Sequence, residues 1–80
     1  MMRRFTAYRQ EPPEGYVASG YANPPDEPQF EGVVSSDGRT AVFWLTEHKS
    51  VSVWTSFEEM LAVHGHPEYG SRIEWQDELP

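Results

Sequence analysis

The chain has 80 residues, no cysteine and a formal net charge of −7. That length excludes more than one domain and leaves a fold that buries about 60–65% of the surface its unfolded form exposes. The missing cysteines exclude a disulfide framework and a thiolate zinc site, and no apolar run reaches the roughly 18 residues of a membrane span.

Charge is unevenly placed. Residues 1–10 carry three arginines and no acid, and residues 11–31 carry five acids and no base. Residues 58–80 carry six acids and one arginine. A net negative surface repels phosphate backbones, so generic nucleic-acid binding is disfavoured. The charged start is not followed by the apolar stretch of a secretory signal. With the absence of cysteine, this points to a cytoplasmic protein.

Residues 5–9 alternate as a short strand. Residues 10–29 contain Pro12, Pro13, Pro24, Pro25 and Pro28. Each proline lacks an N–H and biases its predecessor to extended backbone, so this arm reads as turns and extended chain. Residues 16–19 are a candidate edge strand within it.

The next stretch, residues 30–77, reads as one compact β-β-β-α-β unit. Asp37-Gly38 suits a two-residue type I′ hairpin turn, in which both residues have positive φ. That turn sets Val34 against Ala41, Gly32 against Phe43 and Phe30 against Leu45. All six then share one uncharged face, with the Phe43 ring over Gly32. A three-residue turn at residues 47–49 places Val51 beside Leu45 and Val53 beside Phe43, on that same face.

Ser56 and Glu59 form a capping box. Phe57, Met60, Leu61 and His64 make one helical stripe, and Gly65 supplies a left-handed stop before Pro67. Residues 71–76 alternate Ile73 and Trp75 against Arg72 and Glu74 as a last strand. The expected fold is α+β: a small antiparallel sheet, hairpin plus third strand, with one short helix packed on one face before the final strand.

In that register the opposite sheet face carries Val33, Val42, Trp44 and Trp54. Two tryptophans and two valines in solvent make an apolar patch that needs a cover. The cover is either the N-terminal arm, through Phe5, Tyr8, Tyr16 or Tyr21, or a partner, which is a second copy or a foreign protein. On the second reading these four residues are the binding site, because tryptophan concentrates interface energy.

Other chemistries find little support. His64 and His66, with His48 and Glu68, are the only metal-type cluster, and their spacing does not assemble four ligands. No metal or other cofactor is expected. The serines at 35, 36, 50, 52, 56 and 71 are explained by turns, strands and a cap, and no activated nucleophile stands out. Glu58 and Glu59 point apart on the helix. Gly15 and Gly20 are isolated and make no phosphate loop. Stacking of single-stranded bases on Trp44 and Trp54 would require a basic groove that the chain lacks.

The stretch Glu31-Gly32-Val33-Val34-Ser35-Ser36-Asp37-Gly38-Arg39-Thr40-Ala41-Val42-Phe43-Trp44-Leu45-Thr46-Glu47-His48-Lys49-Ser50 resembles an uncharacterised family of short proteins from actinobacteria and their phages. Val53-Trp54-Thr55-Ser56, Ala62-Val63-His64-Gly65-His66 and Ile73-Glu74-Trp75 extend the resemblance to about residues 31–77. It does not extend over the proline-rich arm. The resemblance implies an intracellular accessory protein of phage or prophage origin. Together with the apolar patch, it leads to a non-enzymatic protein that binds another protein, directed at a host or defence protein. The alternative is an acidic mimic of nucleic acid that blocks a DNA-binding enzyme through Glu11, Glu14, Asp26 and Glu27.

Overall fold

A computed structural model describes residues 2–76, so Asp77, the end of the expected compact unit, lies outside the described residues. Five strands form one antiparallel sheet: β1 (Arg3–Arg9), β2 (Phe30–Val34), β3 (Thr40–Trp44), β4 (Val51–Trp54) and β5 (Ser71–Trp75). Their order is β4-β3-β2-β1-β5. One helix, α1 (Phe57–His64), precedes β5 and packs on one face. The fold is α+β, as the residue pattern predicts.

Strand β1 is not an appendage. It pairs with β2 and with β5, setting Phe5 between Gly32 and Trp75, and Ala7 between Phe30 and Ile73. Phe5, Ala7, Phe30, Val42 and Met60 form the buried core. The Phe5 ring meets Phe30, Phe57 and Trp75 edge-on, with centroids 6.3, 5.2 and 5.7 Å away. Such aromatic pairs add about 0.5–1.5 kcal/mol each beyond the area they bury.

The hairpin register differs from the expected one by a single residue. Val34 pairs with Thr40, Gly32 with Val42 and Phe30 with Trp44. The cause is the turn. Ser35 donates its N–H to Arg39 O at 2.8 Å, and Gly38 donates to Ser35 O at 3.0 Å. Three residues, 36–38, therefore span the loop instead of two. Gly38 alone takes positive φ, at +92°. Asp37, which a type I′ turn would also place there, does not. Its carboxylate instead accepts from the Ser35 hydroxyl and the Arg39 N–H.

A slip of one residue turns every side chain of the following strand to the other face. Thr40, Val42 and Trp44 thus point at the helix, and Ala41 and Phe43 point away. The ring beside Gly32 is Phe5, not Phe43: a Cβ there would sit 2.5 Å from the Phe5 ring tip.

The β3–β4 connection is longer than expected. Phe43 pairs with Val51 and Ala41 with Val53. Leu45 leaves that ladder and donates its N–H to Gln29 O at 3.0 Å. Val51 and Val53 share a face with Phe43, but it is the face without the helix.

Ser56 Oγ accepts the Glu59 N–H at 3.0 Å, capping α1. Met60 is fully buried, and Phe57 and Leu61 pack against the core. Gly65 stays right-handed at φ −68° and continues the helical bonding to Leu61 O. The left-handed stop is His66, at φ 37°, followed by one tight helical turn, Pro67–Tyr69.

The arm is ordered as turns, with no strand at residues 16–19. It is anchored at the β3–β4 loop by a buried polar knot. Gln29 Oε1 accepts the Asn23 N–H at 2.8 Å, and Gln29 Nε2 donates to Asn23 O at 2.6 Å. Asn23 Nδ2 donates to Pro28 O and Leu45 O. Tyr21 stacks on His48 with centroids 5.4 Å apart.

Candidate interaction surface

The one-residue slip separates the four expected binding residues. Val42 is fully buried under the helix. Trp44 and Trp54 lie on the same helix-covered face, partly buried, with the His64 ring edge-on to both at 4.8 and 5.2 Å. Val33 alone lies on the opposite face, half-buried. The expected patch does not exist as one surface. Its tryptophans pack against the histidine at the end of α1, and the Arg9 guanidinium of β1 lies 6.0 Å from the Trp44 ring.

Arg9 completes this helix-side cluster. Only 6% of it is exposed. Its Nη2 donates to His64 O at 2.9 Å, and its guanidinium lies 5.4–6.0 Å from the Tyr69, Phe30 and Trp44 ring centres. A cation against a last-turn carbonyl complements the helix dipole, and ring faces attract a desolvated guanidinium. Burial lowers its pKa, while Tyr69 and Glu68 oppose that shift. Burial also lowers the pKa of His64, assisted by the positive Arg9 and by His66. Arg9 therefore fastens β1 to the end of α1.

The opposite, helix-free face has two halves. Across β1 and β5 it is polar: Arg4, Thr6 and Tyr8 beside Arg72 and Glu74. Arg72 pairs with Glu74 and lies over the Tyr8 ring at 4.4 Å. Across β3 and β4 it is apolar. Phe43, Val51 and Val53 are exposed by 43%, 61% and 68%, and Met2 by 60%. Val33 and Ala41 fill the space between them, half-buried.

A shallow cleft of 460 Å³ joins the two halves, lined by Arg4, Thr6, Glu31, Val33, Phe43 and Gln76. A smaller apolar cleft of 290 Å³ lies between α1 and the sheet, against Ala7, Phe30, Leu61 and Ile73. Adjacent large hydrophobic residues with solvent over them mark an interaction surface more strongly than scattered ones. The apolar half of the open face is the strongest such feature among the described residues. Residue patterning missed it because Ala41/Phe43 and Val42/Trp44 are both apolar, so either face of β3 passes as core.

Among the described residues, no group of three or more His, Asp or Glu side chains is placed to hold a metal ion. His64 sits between the tryptophans, and His66 stacks on Tyr69 at 4.4 Å with its Nδ1 3.1 Å from Glu68. The two rings serve different neighbours. Glu11, Glu14, Asp26 and Glu27 are exposed on the arm. Among the described residues no helix is long and apolar enough to cross a membrane.

These features define a small α+β protein with one helix-covered and one open sheet face. A family model described as Acb5 phage protein matches residues 2–77, and the chain belongs to that family. The match includes the proline-rich arm. Searches of curated proteins and of solved structures return no match.

Proposed function

We propose that this phage protein is a non-enzymatic accessory protein that works by binding another protein in the host cytoplasm. The observation that carries the reading is the apolar half of the open face, where Phe43, Val51 and Val53 stand in solvent beside Val33 and Ala41. Burying three such side chains at an interface contributes several kcal/mol at about 25 cal/mol per Å². Phage membership supports a host protein, including a defence protein, as the target.

The test compares wild type with Phe43→Ser and Arg72→Ser in a capture experiment from an actinobacterial host lysate. Each variant is first checked for a native circular-dichroism spectrum and melting temperature. A specific partner held by wild type and Arg72→Ser but lost by folded Phe43→Ser supports the apolar half as the site. Undiminished capture by folded Phe43→Ser refutes it.

A further inference from the structure

The two edges of the sheet are built differently. β5 presents Arg72 and Glu74, the kind of charge that discourages edge pairing. β4 reads Val51-Ser52-Val53-Trp54, with no charge and no proline, and its ladder to β3 runs without a bulge. Trp44 donates its N–H to Ser50 O at 2.9 Å. By the alternation of an antiparallel ladder, Ser50, Ser52 and Trp54 turn their backbone groups toward β3. Val51 and Val53 then turn their N–H and C=O groups outward, where no strand pairs with them among the described residues. α1 lies on the sheet face: Phe57 packs against Phe5 of β1 and Trp75 of β5, and the His64 ring packs against the side chain of Trp54 in β4.

We propose that the protein forms a homodimer in which β4 pairs antiparallel with β4 of a second copy, about a two-fold axis at Ser52. In this register Val51 lies opposite Val53 of the second copy, and each such pair exchanges both of its outward backbone hydrogen bonds. The pairing is isologous, so one uncharged edge supplies both halves. The apolar row Phe43–Val51 of one protomer continues into Val53–Ala41 of its partner. The open faces thus merge into one apolar band across the dimer.

Charge favours the antiparallel sense. The turn before β4 carries Glu47 and Lys49 and is neutral, whereas Glu58 and Glu59 form the first helical turn after it. Parallel pairing would set the two acidic helix starts together, and antiparallel pairing holds them at opposite ends of the interface. The inference goes beyond the proposed function, since capture by Phe43 stands whether or not the edges pair.

The experiment is sedimentation equilibrium of wild type, Val53→Pro and Val53→Lys over a concentration series. Proline at 53 removes an outward N–H and leaves the bonds to β3 in place. Wild type is expected at twice the 9.2 kDa chain mass, and folded Val53→Pro at the mass of one chain. Val53→Lys, which keeps the backbone donor but sets charge beside the axis, opposite Val51 of the partner, is expected to raise the dissociation constant about tenfold or more. It serves as the deciding variant if the proline substitution unfolds the chain. A wild type that stays at one chain mass up to about 1 mM, the weak end of specific association, overturns the proposal. So does a dimer that both folded variants retain.

Discussion

Val42→Ala and Val53→Ala remove the same atoms from neighbouring strands, and the structure gives them different costs. Val42 is 0% exposed and Val53 is 68% exposed. Losing two buried methyl groups costs about 1.6 kcal/mol at ~0.8 per group. The residual cavity beside Met60 and Phe30 raises this to about 2–3 kcal/mol. At Val53 about a third of the transfer term applies, with a small strand-propensity loss, for a total under about 1 kcal/mol. A domain of this size has about 4–12 kcal/mol in all, so Val42→Ala leaves a folded but weakened protein. Its melting temperature should fall by about 10–20 °C, and that of Val53→Ala by less than about 6 °C. Urea titration followed by tryptophan fluorescence measures both on one scale. At a concentration where the chain is monomeric, a Val53→Ala cost equal to or above that of Val42→Ala would mean that the two-residue turn is correct and the face assignment is reversed.

Three further outcomes follow from particular contacts. Gln29→Leu keeps the buried volume but leaves the Asn23 N–H and C=O without their partners; a loss of about 2–4 kcal/mol is expected, with faster proteolytic cutting of residues 14–27. Gly38→Ala meets no atom within 4 Å, so its cost is the left-handed backbone alone, about 1–2 kcal/mol, readable as a shift in urea midpoint. His64 is held below its ordinary pKa, first by burial and then by Arg9 and His66. The unfolded chain therefore takes up a proton near pH 6.5 while the fold does not. Stability from this group is complete above that pH and declines as pH falls below it, and His64→Gln should flatten the slope of stability against pH in that window.

The helix was legible because its signals are local and redundant. Ser56 caps it, Phe57, Met60, Leu61 and His64 share a stripe, and no competing pattern exists. The last strand was legible for the same reason, through Ile73 and Trp75. The turn was not. Asp37-Gly38 satisfies a two-residue turn, and it equally satisfies a three-residue turn with glycine in the left-handed place. What decides between them is the Asp37 carboxylate bonding Ser35 and Arg39, together with the volume of Phe5 beside Gly32. The second is a contact between residues far apart in sequence. The inner place of β1, between β2 and β5, was hidden in a similar way. Arg3 and Arg9 share the core-facing side with Phe5 and Ala7, and their guanidinium groups are accommodated on aromatic rings, Arg3 at 3.9 Å from the Trp75 ring. That accommodation requires tertiary neighbours that residue patterning does not supply. One misread loop length then carried the error into the candidate site, separating Val33 from Val42, Trp44 and Trp54.

An open face was unavoidable for this chain. A helix of eight residues is about 12 Å long, and five strands at about 4.8 Å spacing make a sheet roughly 24 Å wide. One such helix covers one face at most, and among the described residues the arm is tied through Asn23 and Gln29 to the β3–β4 loop. The distribution of side chains on the uncovered face is not set by that geometry. Placing Arg4, Tyr8, Arg72 and Glu74 over β1 and β5 solves the exposure problem there with charge and cation–π pairing. The same solution was open at positions 43, 51 and 53, where charged or hydroxyl residues suit an exposed strand face equally well. Phe43, Val51 and Val53 instead concentrate apolar area beside the one edge strand that carries no charge. Stability of the monomer does not require that choice, because these side chains lie outside the buried core. Their exposure is the physical reason for proposing this half of the sheet as a binding surface.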